Sequence, residues 1–369
     1  MEFTVDQHSL LSELNLVQGV IERKSTIPIL SNLLLEAAGG RLRITATDLD
    51  VSICCGCEAT VKGEGTMTIS ARRLYEIVRL LPEDAAIEFL LLENDWVQLR
   101  SGSSQYKIVG LPKENFPSIP EQVSPGFALS GEVLRAMIQR TMFAITQEES
   151  RYSLNGALLV LTPQDVRMVA TDGHRLALVT KVMEMPGVGG EIKALIPRKT
   201  LVELQKLIGD RELNVEFGKD ENHLFFSLGD RRLVSRMLAG QFPNYDLVIP
   251  RENDKFIVAS TGLLIDGIRR AAVMADEKLR AIKLSFGPDS LEVTASSAEA
   301  GEAREIVPID YKGIDIAIGF NPQYLLDFLS VCASDSVTIS VRDSETQGML
   351  QPCLGTDLDY RYVVMPMKY

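Results

Sequence analysis

The sequence predicts an α+β protein made of three copies of one domain, each with antiparallel strands backed by two helices. Three observations carry this. Strand-and-turn phrases recur in one order, roughly 125 residues apart. Each copy has two places where an alternating strand runs into a helical period. The first two copies leave through proline-rich exits, where few contacts need cross.

The copies open with "EFTVDQHSLLSELNLVQGVI", "GFALSGEVLRAMIQRTMFAI" and "KFIVASTGLLIDGIRRAAVMA", each a strand and then a helix. Apolar strands follow in "IPILSNLLLEA", "YSLNGALLVLT" and "RAIKLSF". Next come "LRITATDLD", ending at Asp50, "VRMVATDGH", ending at His174, and "LEVTASSAE", ending at Glu299. Each alternates and then enters a small polar turn. The second strand-and-helix units are "TMTISARRLYEIVRLLP", "KALIPRKTLVELQKLIG" and "IAIGFNPQYLLDFLSVC". Their helices should begin after Ser70, at Pro197 and at Pro322, because serine caps a helix and proline suits its first turn. Hairpins then lead to "LPKENFPSIP", "LAGQFPNYDLVIP" and "YVVMPMKY", with Pro117, Pro243 and Pro366 in register. These exits set domain boundaries at 1–124, 125–253 and 254–369.

Composition limits the function. With 46% apolar and 24% charged residues, the 369-residue chain has material for several cores and no disordered signature. No apolar run approaches the roughly 18 to 20 residues of a membrane helix, and the start lacks a basic-then-apolar leader, so a cytoplasmic location is expected. Five cysteines, three of them in "CCGC" (Cys54, Cys55, Cys57), form no disulfide framework and fit a reducing compartment; the alternation around them suits a buried strand. The histidines stand apart, so no metal and no cofactor is expected. A net charge of -12 argues against a generally basic surface. Basic residues nevertheless collect on the helices, at Arg72, Arg73 and Arg79, Arg135 and Arg140, Arg198, Lys199 and Lys206, and Arg269 and Arg270, with Arg23 and Lys24 after the first helix. On one helix this is an ordinary solvated face; on most of six it suggests a positive surface in an acidic body.

The stretch "ATDGHRLAL" (Ala170 to Leu178) admits two readings. As chemistry, His174 would be a general base oriented by Asp172, in a hydrolase whose nucleophile no motif supplies. There is no nucleophile elbow, zinc-binding helix or Walker loop, and "GVGG" leads into a strand. As structure, Asp172 stabilises a turn and Gly173 supplies its special backbone conformation. The first copy has "ATDLD", so the aspartate belongs to the turn, and the Gly-His-Arg-Leu extension of the second copy needs another explanation.

In order and spacing, "TIPIL", "ARRL", "RYSLNG", "ATDGHRLA", "PRK", "FPNY", "GFNPQYLLD" and "YVVMPM" resemble one family across the whole chain, the bacterial sliding clamps, the beta subunits of replicative DNA polymerase III. The resemblance implies the DNA clamp fold, with sheets outside and helices lining a central channel, in a non-catalytic ring formed as a head-to-tail homodimer around double-stranded DNA. It implies docking of short linear motifs from the polymerase III alpha subunit, the clamp loader, other DNA polymerases and repair factors. Their pocket would comprise Leu154, Thr171, Gly173, His174, Arg175, Leu176, Pro243, Leu247, Val248, Leu279, Asn321, Tyr324, Val363, Val364, Met365, Pro366 and Met367. Leu247, Leu279, Lys368 and Tyr369 depart from the best-known pattern and would reshape the rim. The apolar "VVMPM" can alternatively be a plain edge strand. DNA would be met by Lys24, Arg72, Arg73, Arg79, Arg135, Arg140, Tyr152, Arg198, Lys199 and Lys206. At the ring interface Tyr106 and Ile108 would meet Val273 and Met274, with Arg100 and Lys107 opposite Glu299, Glu302 and Glu305.

Overall fold

The computed structural model describes residues 1–21, 26–121, 126–148, 150–210, 213–276, 279–298, 301–353 and 357–369. Lys24 and Glu299 lie outside them. The chain divides into two compact units, Met1–Glu132 with Lys199–Met237, and Val133–Arg198 with Leu238–Tyr369.

Six α-helices occur among the described residues, each directly after a strand, as the alternation-to-helix switch requires. They are α1 (Gln7–Val17), α2 (Ala71–Leu80), α3 (Gly131–Thr141), α4 (Arg198–Ile208), α5 (Thr261–Ala272) and α6 (Pro322–Leu329). Local chemistry sets the starts. Asp6 caps α1 by accepting from the Ser9 amide at 2.9 Å, and Asn321 caps α6 by accepting from the Gln323 amide at 2.9 Å, with Pro322 in the first turn. Two expectations change. Ser70 precedes α2 without a side-chain cap bond, and α4 starts at Arg198 because Pro197 is still held opposite Gly156 in the preceding strand. In α2 the buried Ala71, Leu74 and Val78 define one face, leaving Arg72, Arg73 and Arg79 exposed.

The first unit contains a five-stranded sheet in the order Thr60–Gly63, Glu2–Asp6, Ala86–Leu91, Trp96–Ser101, Ser104–Val109. It also contains an eight-stranded sheet, Phe127–Ser130, Asn214–Lys219, His223–Leu228, Arg231–Arg236, Val51–Glu58, Arg41–Thr47, Asn32–Ala38, Gly65–Ser70. The second unit holds twelve strands in the order Ile192–Pro197, Gly156–Leu161, Asp165–Thr171, Arg175–Val182, Asp359–Val364, Gly348–Pro352, Ser336–Val341, Lys255–Ser260, Gly301–Asp310, Ser290–Ser297, Ile282–Gly287, Ile316–Phe320. The strand pairings among the described residues are antiparallel.

Two junctions join one repeat to another by strand pairing. In the first unit Val234 pairs with Ser52; in the second, Val363 pairs with Leu176. Ser52 and Leu176 hold the same place, opposite Thr47 and Thr171 at the Ala-Thr-Asp turns. Their third counterpart is Glu302, opposite Ser296. The strand Asp359–Val364 is therefore an interior strand with neighbours on both sides, which removes the edge-strand reading of "VVMPM".

The proline register also changes. Leu111 bonds Thr68, Leu238 donates to the Leu195 carbonyl at 3.1 Å, and Met367 donates to the Gly319 carbonyl at 2.8 Å. Thr68, Leu195 and Gly319 each lie two residues before the residue that precedes a helix, so Leu111, Leu238 and Met367 are the matching positions. Pro366 precedes that point, whereas Pro117 and Pro243 follow it.

The "CCGC" segment lies in the strand Val51–Glu58, as its alternation suggests, with Cys55 buried beside α1. Burial and the neighbouring Glu13 push the Cys55 thiol well above its ordinary range, and the same two influences push Cys57 up to about 12. A raised pKa keeps the unreactive thiol form at mildly alkaline pH. At pH 8 the folded protein should therefore leave Cys55 and Cys57 unmodified by iodoacetamide over times that label both in denaturant. Peptide mapping checks this, and fast native labelling would contradict the burial argument.

Candidate functional site: an apolar pocket at the second Ala-Thr-Asp turn

The turn after Asp165–Thr171 is built by its own side chains. Asp172 Oδ1 accepts from the amides of His174 at 2.9 Å and Arg175 at 3.1 Å, and Thr171 Oγ1 accepts from the Gly173 amide at 3.1 Å. Gly173 has a φ of 89°, a left-handed backbone conformation that favours glycine, whereas the Arg151 Nη1 that a Cβ would meet at 2.9 Å is the end of a flexible side chain and can move aside. The first turn repeats this with Asp48, which accepts from Asp50 and Val51. The second oxygen of each aspartate distinguishes the copies. Asp48 Oδ2 takes the Lys199 ammonium, while Asp172 Oδ2 accepts from Arg175 Nε at 3.0 Å.

Arg175 is a hub. Its Nη1 meets Asp327 Oδ2 of α6 at 2.5 Å, its Nη2 donates to the Phe143 carbonyl at 2.7 Å, and its guanidinium carbon lies 4.4 Å from the Tyr324 ring centre. Burial works against the charge, but Tyr362, Asp327 and Asp172 more than offset it and hold the guanidinium protonated. Burial, with Asp172 nearby, raises Tyr324. Gln323 donates to the other Asp327 oxygen at 2.6 Å, and Arg151 donates to the Asp172 carbonyl at 2.9 Å. Arg175 thus ties together the turn, α6 and the Phe143 backbone, while Arg151 braces the turn separately.

Beside this hub lies a cavity of about 120 Å³ lined by Leu154, Thr171, Gly173, His174, Arg175, Leu176, Pro243, Tyr245, Val248, Val363 and Met365. Strand pairing between Arg175–Val182 and Asp359–Val364 makes its floor, and Met365 is held by donating to the His174 carbonyl at 2.9 Å. The lining is mostly hydrocarbon with an adaptable methionine, suited to an apolar anchor. Ten of the expected pocket residues meet here. Tyr245, in the quoted "FPNY", was missed; its place in a strap beside Pro243 was the available signal.

The others are elsewhere, for identifiable reasons. Val364 is fully buried below the surface, and Asn321 is occupied as the α6 cap. Tyr324 packs under Arg175 and faces the His174 ring at 6.5 Å, outside the cavity. Met367 is engaged with Gly319, while Pro366 does not line the cavity. Leu247 is 80% exposed and borders a different hollow. Leu279 lines a separate polar hollow with Lys283, Glu292, Glu302, Arg304 and Tyr369.

The hydrolase reading fails on the same geometry. Both Asp172 oxygens are spent on the turn and on Arg175, so the carboxylate does not orient the His174 ring.

Among the expected DNA contacts, Tyr152 is 71% exposed and Arg73 is exposed on α2. Arg72 pairs with Glu76 at 2.8 Å, Arg79 lies over Tyr75, and Lys206 pairs with Glu203 at 2.8 Å. Lys199 is held by Asp48, Arg140 donates to the Ala136 carbonyl at 3.4 Å, and Arg135 and Arg198 are half-buried. At the expected interface, Ile108 is 4% exposed and belongs to the chain's own core, because side chains alternate along Ser104–Val109; Val109 is the exposed residue. Arg100, Lys107 and Glu302 are exposed, Tyr106 and Met274 are half-buried, and Val273 is 76% exposed; Glu305 pairs with Arg270 at 2.8 Å. Among the described residues no acidic, cysteine or histidine cluster could hold a metal, and no helix is long and apolar enough to cross a membrane.

Comparison with known proteins places this geometry in a family. Residues 1–120, 128–244 and 246–368 match the N-terminal, central and C-terminal domains of the DNA polymerase III beta subunit. The beta sliding clamps of Pseudomonas putida and Escherichia coli are 36% and 35% identical to this chain, in each case over the whole of both chains. The crystal structure of the DNA polymerase III subunit beta from Pseudomonas aeruginosa is 34% identical, covers both chains fully and superposes with a TM-score of 0.95. With three domain matches in order and relatives above a third identical along their full length, the chain belongs to the DNA polymerase III beta subunit family, the bacterial sliding clamps.

Proposed function

We propose that two copies of this chain close head to tail around duplex DNA, and that the cavity beside Arg175 receives short linear motifs of replication and repair proteins. The motif-bearing partners in this reading are the polymerase III alpha subunit, the clamp loader, other DNA polymerases and repair factors. Three domains, 1–124, 125–253 and 254–369, serve as its repeats. The clamp carries no chemistry; it tethers a polymerase to its template.

The observation that carries the docking half is the apolar cavity of about 120 Å³, walled by residues from two repeats. The ring half is supported by the repeated junction. The edge of Ser104–Val109 away from Trp96–Ser101 is unpaired among the described residues. So is most of one edge of Gly301–Asp310, which meets Lys255–Ser260 only at Ile309 and Asp310. Transferring the register of the two internal junctions sets Lys107 opposite Glu302, Tyr106 opposite Ala303 and Gln105 opposite Arg304 of a second copy. The first is an attractive pair, and exposed edges of this length need covering. The -12 charge fits enclosure rather than tight phosphate binding: a few exposed cations suffice to hold DNA loosely while the ring slides.

A labelled Gln-Leu-x-Leu-Phe peptide tests the docking half. Saturable binding is expected, lost on removing residues 365–369 and weakened by His174→Ala, with the dimer unchanged in sedimentation. An intact protein that does not bind the peptide refutes this use of the pocket.

A further inference from the structure

The two internal junctions are built on one plan, and one position in them differs in kind. In the first unit the strand Arg231–Arg236 adds to Val51–Glu58; in the second, Asp359–Val364 adds to Arg175–Val182. Aligning the helix starts, Gln7, Gly131 and Thr261, puts Glu13, Met137 and Gly267 at one place on α1, α3 and α5. Aligning Val234 with Val363 puts Arg231 and Tyr360 at one place on the arriving strands. On the receiving strands, Cys55, Val179 and Glu305 each stand three residues after the matching Ser52, Leu176 and Glu302.

At this place the second unit is neutral. Tyr360 lies opposite Val179, both are buried, as is Met137, and the Tyr360 hydroxyl donates to the Arg140 carbonyl at 2.8 Å. The first unit holds two opposite charges instead. Arg231 Nη2 donates to Glu13 Oε1 at 2.5 Å and its Nε to Oε2 at 3.3 Å, and the two side chains are only 12% and 8% exposed. Cys55 beside them is buried too, its thiol donating to the Glu13 carbonyl at 3.7 Å.

A buried ion pair adds little net stability, because desolvating both ions offsets their attraction, but it strongly penalises either ion left alone. That asymmetry suits it to choosing a partner. If Arg231–Arg236 added to Arg175–Val182, Arg231 would be buried against Val179 and Met137, neither of which is an anion. On Gly301–Asp310 it would come to Glu305, which Arg270 already holds at 2.8 Å. If Asp359–Val364 added to Val51–Glu58, Tyr360 would cover Glu13 and leave its carboxylate without a cation.

We propose that Glu13 and Arg231 are a selectivity pair for strand addition: they direct the last strand of the second repeat to the edge of the first, and keep it from the equivalent edges of this chain and of other copies. Sheet edges otherwise offer the same row of backbone donors and acceptors, and a strand that chooses wrongly gives open or miscounted assemblies.

Two full-length variants remove both charges at once. Glu13→Met with Arg231→Tyr copies the residues of the second unit, and Glu13→Leu with Arg231→Leu is plainly apolar. Each variant and the natural protein is unfolded in urea and diluted to a series of submicromolar and micromolar concentrations. Sedimentation velocity then reads the fraction that regains the boundary of the untreated protein. Both variants should melt close to the natural midpoint, since apolar replacement of a buried pair is often neutral or stabilising, whereas Glu13→Met alone should melt clearly lower. The fraction in larger species should rise about threefold or more over the natural protein and grow with concentration, because the wrong edges belong to other copies. Refolding of both variants as clean as that of the natural protein at every concentration overturns the proposal. Failure of both to fold overturns it as well, since the pair would then be a stabiliser and not a selector.

Discussion

Aspartate at both Val273 and Met274 is expected to turn the dimer into monomers. Val273 is the C-cap of α5 and is 76% exposed, so a charge there costs the isolated chain little. The same unit leaves Leu263 on α5 and Ile306 on the free-edged strand 48% and 55% exposed. In the proposed ring these apolar groups are covered, and a buried unpaired carboxylate costs about 3 kcal/mol or more. Two of them should weaken association by at least a hundredfold, read as a shift from dimer to monomer in sedimentation velocity at micromolar protein. By contrast Lys107→Ala should change association little, because a rim pair contributes about 0 to 1 kcal/mol. A dimer that survives both aspartates removes this surface from the interface.

The second large effect falls on Arg175. Replacing it with alanine removes the shared counter-charge of Asp172 and Asp327, the support under Tyr324 and the donor to the Phe143 carbonyl. The side chain is only 10% exposed, so two carboxylates are left partly buried without their cation. That should cost about 3 kcal/mol and lower the melting midpoint of the second unit by about 6–12 °C. The same side chain walls the cavity, so motif-peptide affinity should fall at least tenfold in equilibrium titrations. Arg175→Lys keeps a charge without the planar fork and should recover only part of either loss. Full peptide affinity in Arg175→Ala would show that the hub does not shape the pocket.

Much of this architecture was legible because its causes are local. The switch from alternation to helical period located all six helices, and the Asp6 and Asn321 caps explain why α1 and α6 begin where they do. Gly173 was readable from one turn. What stayed hidden depends on partners far along the chain. Arg175 and Asp327 are 152 residues apart in sequence, and nothing in "GHRL" or "QYLLD" announces that they meet. Lys199 reads as a free cation in the sequence, and only the fold brings Asp48, 151 residues away, against it. Position in a motif puts Leu247 and Leu279 at the pocket, yet neither lines the cavity, Leu247 being carried out of it by a short turn. Ile108, which the resemblance puts at the interface, lies in the core instead, because period-2 alternation separates the faces of a strand without saying which face is the core.

The pairing of Arg175–Val182 with Asp359–Val364 also governs the order in which the protein can be assembled. These strands begin 184 residues apart, at Arg175 and Asp359, so the second unit depends on a contact of very long sequence separation. Closing such a loop costs entropy before any reward, which slows folding relative to a helical protein of equal stability. On the ribosome, the half of the proposed docking cavity built from "ATDGHRL" waits with a raw sheet edge until its partner strand emerges. Forming the floor of the proposed docking cavity and closing this strand pair are therefore one event.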